Sequence, residues 1–77
     1  MYNKNNKEIM NEVHEAFVSN IYKIAYERKL SINKMDNMCD LSFGQINKRL
    51  NYHQGLSLYF LIKVSRGLGV SIDDLLK

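Results

Sequence analysis

The chain has 77 residues and a formal net charge of +3, enough for one small domain. Its one cysteine, Cys39, excludes an intrachain disulfide framework, and no apolar run nears the roughly 20 residues that span a bilayer. The opening MYNKNNKE has no apolar stretch of the kind a signal peptide needs, so a cytoplasmic protein without a membrane partner is expected.

Residues 1–7 are polar and asparagine-rich and are predicted to form a disordered tail, ahead of one domain over residues 8–77. From Glu8 to Lys29 the pattern is helical, with Ile9, Met10, Val13, Phe17, Ile21 and Ile24 on one stripe. Glu8, Glu12 and Glu15 lie in its early turns and Arg28 and Lys29 in its last, as the helix dipole favours. His14 falls off the stripe and is assigned to the solvated surface.

Ser31 is placed to cap a second helix from Ile32 to Cys39, with Ile32, Met35 and either Met38 or Cys39 inward. A turn follows at Cys39, Asp40 and Leu41, where Asp40 is able to adopt the left-handed conformation, less readily than glycine. Ser42 is placed to cap a third helix reaching Asn51, with Ile46 and Leu50 inward at i, i+4 spacing. Tyr52 to Leu56 reads as a loop with Gly55 as its flexible point. Ser57 opens a fourth helix to about Gly67, facing the core with Leu58, Leu61, Val64, Ser65 and Leu68, and Gly69 is its expected C-cap. Ser71 opens a last helix, Ile72 to Leu76, with Asp73 and Asp74 in its first turn. Five helices and no alternating apolar run predict an all-α fold.

Charge is segregated along the chain. No acid occurs between Leu41 and Ile72, whereas Lys48, Arg49, Lys63 and Arg66 all do. The region is either a surface facing a polyanion or an ordinary solvated face. The third helix would turn Gln45, Asn47, Lys48 and Asn51 outward over a packed back, which is what a nucleic-acid reader presents to a groove. Catalytic chemistry finds little support. His14 and His53 lie on different elements, and Cys39 reads as a small apolar residue. There is no zinc-ligand spacing and no glycine-rich phosphate loop. The chain is therefore not expected to be an enzyme, nor to need a metal, cofactor or small-molecule substrate.

Three segments carry a resemblance: IYKIAYERKLS, MDNMCDLSFGQINKRLN and SLYFLIKVSRGLGVSIDDLL. From Ile21 to Leu76 the chain resembles the lambda-repressor-like, Cro-type (XRE) helix-turn-helix family. The last segment is the most diagnostic, with its leucine-rich helix, Leu-Gly-Val-Ser and acidic final turn. The resemblance implies a compact five-helix domain whose second and third helices form the helix-turn-helix. In the family the third helix enters the major groove of double-stranded DNA, often within a dimer. Carried over, the base-reading positions are Phe43, Gly44, Gln45, Asn47 and Lys48. Gln45 and Asn47 suit an adenine edge, Phe43 a thymine methyl, and Lys48 a guanine or a phosphate. Phosphate contacts would come from Ser31, Lys34, Ser42, Asn51, His53 and Gln54. The implied function is a transcriptional regulator, a repressor of phage or mobile-element type that covers a promoter, with a homodimer among its expected partners. The alternative is a protein-interaction module on the same fold, such as an antirepressor, an antitoxin component or an adaptor.

The chain departs from the family pattern in several places. Ile32 stands where a polar residue is common, Asp36 where a small alanine is usual, and Asp40 and Tyr52 where glycine is frequent. Asp36 is expected to tilt outward or to meet Lys34 or Arg49, because an uncompensated buried carboxylate is costly. Gly44 is expected to weaken the third helix by about 1 kcal/mol relative to alanine. Ile9, Met10 and Val13 extend the first helix beyond the family's usual start, and they are expected to meet Tyr59 and Phe60, within one chain or across a dimer.

Overall fold

Three serines open three helices in the same way. Ser31, Ser57 and Ser71 each hold extended backbone and accept a hydrogen bond from the amide three residues on, at Lys34 (3.1 Å), Phe60 (3.1 Å) and Asp74 (3.0 Å). Asn5 does the same for the Glu8 amide at 2.8 Å. These caps set the helix boundaries in the computed structural model, which describes residues 5–52 and 56–77. The helices are α1 (Asn6–Arg28), α2 (Ile32–Met38), α3 (Gln45–Asn51), α4 (Leu58–Leu68) and α5 (Ile72–Leu76), with no strand among the described residues. The all-α reading therefore holds. Because Asn5 supplies the cap, α1 begins at Asn6 rather than at Glu8. Residues 1–4 of the predicted tail, and Gly55 with its predicted role as a flexible point, lie outside the described residues.

The core gathers side chains from every helix. Phe17 and Ile21 from α1, Met35 from α2, Ile46 from α3, Val64 from α4 and Leu75 from α5 are all fully enclosed. Phe17 and Phe60 meet edge-on, with ring centroids 5.7 Å apart at 61°. Phe60 is thus a core residue of the single chain, and it meets Phe17, which is not among the α1 residues expected to meet it. Tyr59, its neighbour, is 68% exposed and lies under the Lys63 ammonium, 5.0 Å from the ring centroid. Ile9 and Met10 stay about half exposed, so only the Phe17 end of the α1 stripe is covered. The inward face of α4 is also rotated from the expectation. Phe60, Leu61, Val64 and Leu68 are buried, whereas Leu58 stands out in solvent. Between the two candidates on α2, Cys39 is buried and Met38 is partly exposed.

Several helix ends are closed by side chains from elsewhere in the chain. The Arg28 guanidinium donates to the Leu68 carbonyl at the end of α4, at 2.6 Å. Asn20 on α1 donates through its amide nitrogen to the carbonyls of Leu75 (2.9 Å) and Lys77 (3.1 Å), which close α5. The last carbonyls of a helix have no partner within it, so these bonds satisfy groups that would otherwise need water. They also fasten α1 to α4 and α5, while α2 packs against both α3 and α4. No helix among the described residues is long and apolar enough to cross a membrane.

Candidate nucleic-acid interface

α3 has seven residues, too few to be stable alone. Its inner side is held by Ile46 and Leu50, both buried, at the predicted i, i+4 spacing. Its two ends are held by buried polar side chains, of which His14 was expected at the surface and Asp36 was expected to tilt outward or to meet Lys34 or Arg49.

The first is Asp36. It is not tilted outward and meets neither Lys34 nor Arg49. It is 1% exposed, and its two oxygens accept the amides of Gly44 (3.0 Å) and Ile46 (2.8 Å) at the start of α3. A carboxylate at a helix N-terminus is favoured by the exposed amides and by the helix dipole together. Burial of the charge is thus matched by two charge-assisted hydrogen bonds. Sequence carried a signal for this. Asp36 lies on the same helical stripe as Ile32, and an acid on an inward stripe demands donors.

The second is His14. It is 6% exposed rather than solvated, and its Nε2 lies 2.7 Å from the Arg49 carbonyl in the last turn of α3. A carbonyl only accepts, so Nε2 carries the proton and donates. Val13 and His14 lie four and three residues before Phe17, so both border it on α1, although His14 was placed off the stripe. The α3 carbonyl opposite decides between them.

The connection between α2 and α3 follows from these anchors. Asp40 takes the left-handed conformation, with φ 54°, as its turn role anticipated. Lys63 on α4 holds it there, donating to the Asp40 carbonyl at 2.9 Å with the Asp40 carboxylate 3.9 Å away. Ser42 is not the cap of α3. Gly44 is, with φ 85° and no side chain to contribute, and the capping oxygen comes from Asp36 instead. Gly44 therefore lies outside the helix interior, and the expected propensity cost to α3 does not arise. Nothing lies within 4 Å of where its side chain would start, so its conformation, not space, requires glycine.

On the open side of this unit Ser42, Phe43, Lys48, Asn51 and Tyr52 are exposed, and Gln45 and Asn47 are half-buried at its flanks. Phe43 is 81% exposed. Ser31 and Lys34, with Asn33 and Asn37, are exposed on α2. The Ser31 hydroxyl already accepts the Lys34 amide. A shallow groove of about 180 Å³ runs between Asn33, Asn37, Leu41 and Phe43, with Asp36 at its floor. The predicted residues of α2, the connection and α3 thus lie within one two-helix unit, while His53 and Gln54 fall outside the described residues. Arg49 is drawn away from the outward side: its guanidinium sits 5.3 Å from the Phe60 ring centroid.

Cys39 lies beneath this unit, donating from Sγ toward the Val64 carbonyl at 3.8 Å. Burial, and secondly the negative charge of Asp36, push its thiol up to about 11. The folded protein thus favours the protonated thiol. Its contribution to stability is complete below pH 9 and is lost as pH rises from about 9 to about 11, on the order of 2–3 kcal/mol in all. Urea midpoints measured across that window should fall more steeply for the native chain than for Cys39→Ala. Equal slopes would show that Cys39 does not titrate as its surroundings require. Among the described residues no group of three or more His, Cys, Asp or Glu side chains is placed to hold a metal ion.

Comparison with known proteins adds no assignment: no family model, no curated protein and no solved structure matches this chain.

Proposed function

We propose that this chain is a sequence-specific double-stranded DNA-binding regulator of transcription. On this reading α2 and α3 form a helix-turn-helix of the lambda-repressor-like kind, α3 enters the major groove, and the protein acts in the cytoplasm as a repressor by covering a promoter. One observation carries it. A short helix is pinned at both ends, by Asp36 and by His14, and turns outward a face with Lys48 and Asn51 and without an exposed carboxylate from Leu41 to Tyr52. Rigid placement of a polar, cationic helix suits groove recognition, because contacts to base edges tolerate little misplacement. Ser31, Lys34, Ser42, Asn51, His53 and Gln54 are the phosphate partners on this reading. A homodimer would set two such helices about one duplex turn apart.

Fluorescence anisotropy with random and genomic-flank duplexes, from about 50 to 200 mM salt, tests the reading. Tight binding to a discrete site with a steep salt slope is expected. Lys48→Ala should weaken binding to all sequences and lower the salt slope by about 1, while Gln45→Ala should relax preference at one position by about 1–3 kcal/mol. A Gln45→Ala protein unchanged in both affinity and preference would remove α3 as the reading face. A second reading, a protein-interaction module, is favoured by the 81% exposure of Phe43. It requires that no duplex binds even at low salt and that Phe43→Ala abolishes capture of a protein partner.

A further inference from the structure

Resting on the DNA-binding reading above, we infer that the duplex this face takes is an A·T site read in the major groove. The inference follows from which side chains are turned outward and which are withdrawn. Guanine is read best by the fork of an arginine, and cytosine by an exposed carboxylate. The chain has three arginines, and none is available on this face. Arg28 is spent on the Leu68 carbonyl, and Arg49 lies against the Phe60 ring. Arg66 lines another groove, between α4 and the end of α2, with Met38, Asp40, Lys63 and Gly67. No carboxylate lies on α3 itself: Asp36 is buried with both oxygens accepting backbone amides, and the exposed Asp40 stands before α3 in the connection, 3.9 Å from the Lys63 ammonium on α4.

The groups that remain match the other base pair. Asn33 and Asn37 on α2 border the same groove as Phe43, so they are continuous with the start of α3. Gln45 and Asn47 follow along α3. A side-chain amide offers a donor and an acceptor together, which is the pattern of adenine N6 and N7. An exposed phenyl ring offers an apolar surface, which fits the thymine methyl and nothing on a G·C pair in that groove. Lys48 and Lys34 are single-point cations rather than forks, and they are assigned to phosphate.

The test is selection from a random duplex pool with the full chain, followed by base analogues in the enriched site. Enrichment of A·T pairs over about four to five steps is expected. Replacing adenine by 7-deazaadenine, which removes the N7 acceptor, should weaken binding about tenfold. Replacing thymine by uracil, which removes the methyl, should weaken the native chain but not Phe43→Ala. Enrichment of G·C pairs would overturn the inference and leave the DNA-binding reading standing. So would A·T enrichment that 7-deazaadenine does not disturb, because sequence would then be read from the minor groove or from duplex shape. A pool that never enriches would overturn the DNA-binding reading, and this inference with it.

Discussion

Asp36→Ala is expected to cost about 3–5 kcal/mol, most of the stability a domain of this size has. The substitution removes the acceptor for two amides, at Gly44 and Ile46, and the Ile46 bond is fully buried. Each buried donor left without a partner costs about 1–3 kcal/mol, and bonds to a charged acceptor lie at the upper end. A small cavity adds to this at a site that is 1% exposed. Asp36→Asn should lose about half as much, since one oxygen remains, but its NH2 group then faces a backbone donor. Urea unfolding measures the total, and hydrogen exchange at the Gly44 and Ile46 amides localises it. Exchange there should quicken before the α1 and α4 amides respond, because α3 is the element that loses its start. A loss below about 1 kcal/mol would mean that water or a shifted connection satisfies these amides, and that Asp36 does not anchor α3. The anchor also bears on DNA binding: a variant still folded should bind a duplex more weakly, although Asp36 itself is hidden from it.

Gly67→Ala is expected to destabilise by about 3 kcal/mol, against the usual direction for glycine to alanine within a helix. Propensity alone would gain about 1 kcal/mol. Packing reverses the sign. A methyl at Gly67 would stand 2.5 Å from the Cys39 α-carbon, 2.6 Å from its sulfur and 2.8 Å from the Met38 carbonyl oxygen. Two of those three atoms are backbone and cannot rotate away, so α4 would have to lift from the end of α2. Thermal unfolding of the single variant measures the cost. The pair Cys39→Ala with Gly67→Ala identifies its source, because it relieves the contact with sulfur and not those with the α-carbon and carbonyl. Partial rescue is expected. Full rescue would mean that the thiol alone fills the space, and a stabilised Gly67→Ala would mean that the two helices do not approach so closely.

These two positions mark where local patterns stop being informative. Ser31, Ser57 and Ser71 cap amides only three residues away, and Gly69 ends α4 in a left-handed turn, so four helix boundaries follow from neighbours along the chain. The outward side of α3 was legible for the same reason. Once Ile46 and Leu50 are inward, helical geometry turns Lys48 and Asn51 to solvent. Ser42 misled because a serine before a helix resembles a cap, whereas the capping oxygen belongs to Asp36 on α2. Leu58 misled because apolar residues in a first turn need not be covered, and Phe60 took the inward place by meeting Phe17.

The sequence by itself determined that the chain is all-helical, where most helices begin and end, and which side of α3 carries polar and cationic groups. Caps, turns and helical periodicity act over three or four residues, and their physics is complete within that span. The tertiary structure alone decided that Asp36 and His14 are buried, that they hold the two ends of α3, that Arg49 is drawn toward Phe60, and that Gly67 admits no side chain. Each of those depends on a partner from another helix: an amide, a carbonyl, a ring or a stretch of backbone. A polar side chain changes from a surface group to an internal fastening only when such a partner is brought within hydrogen-bond distance.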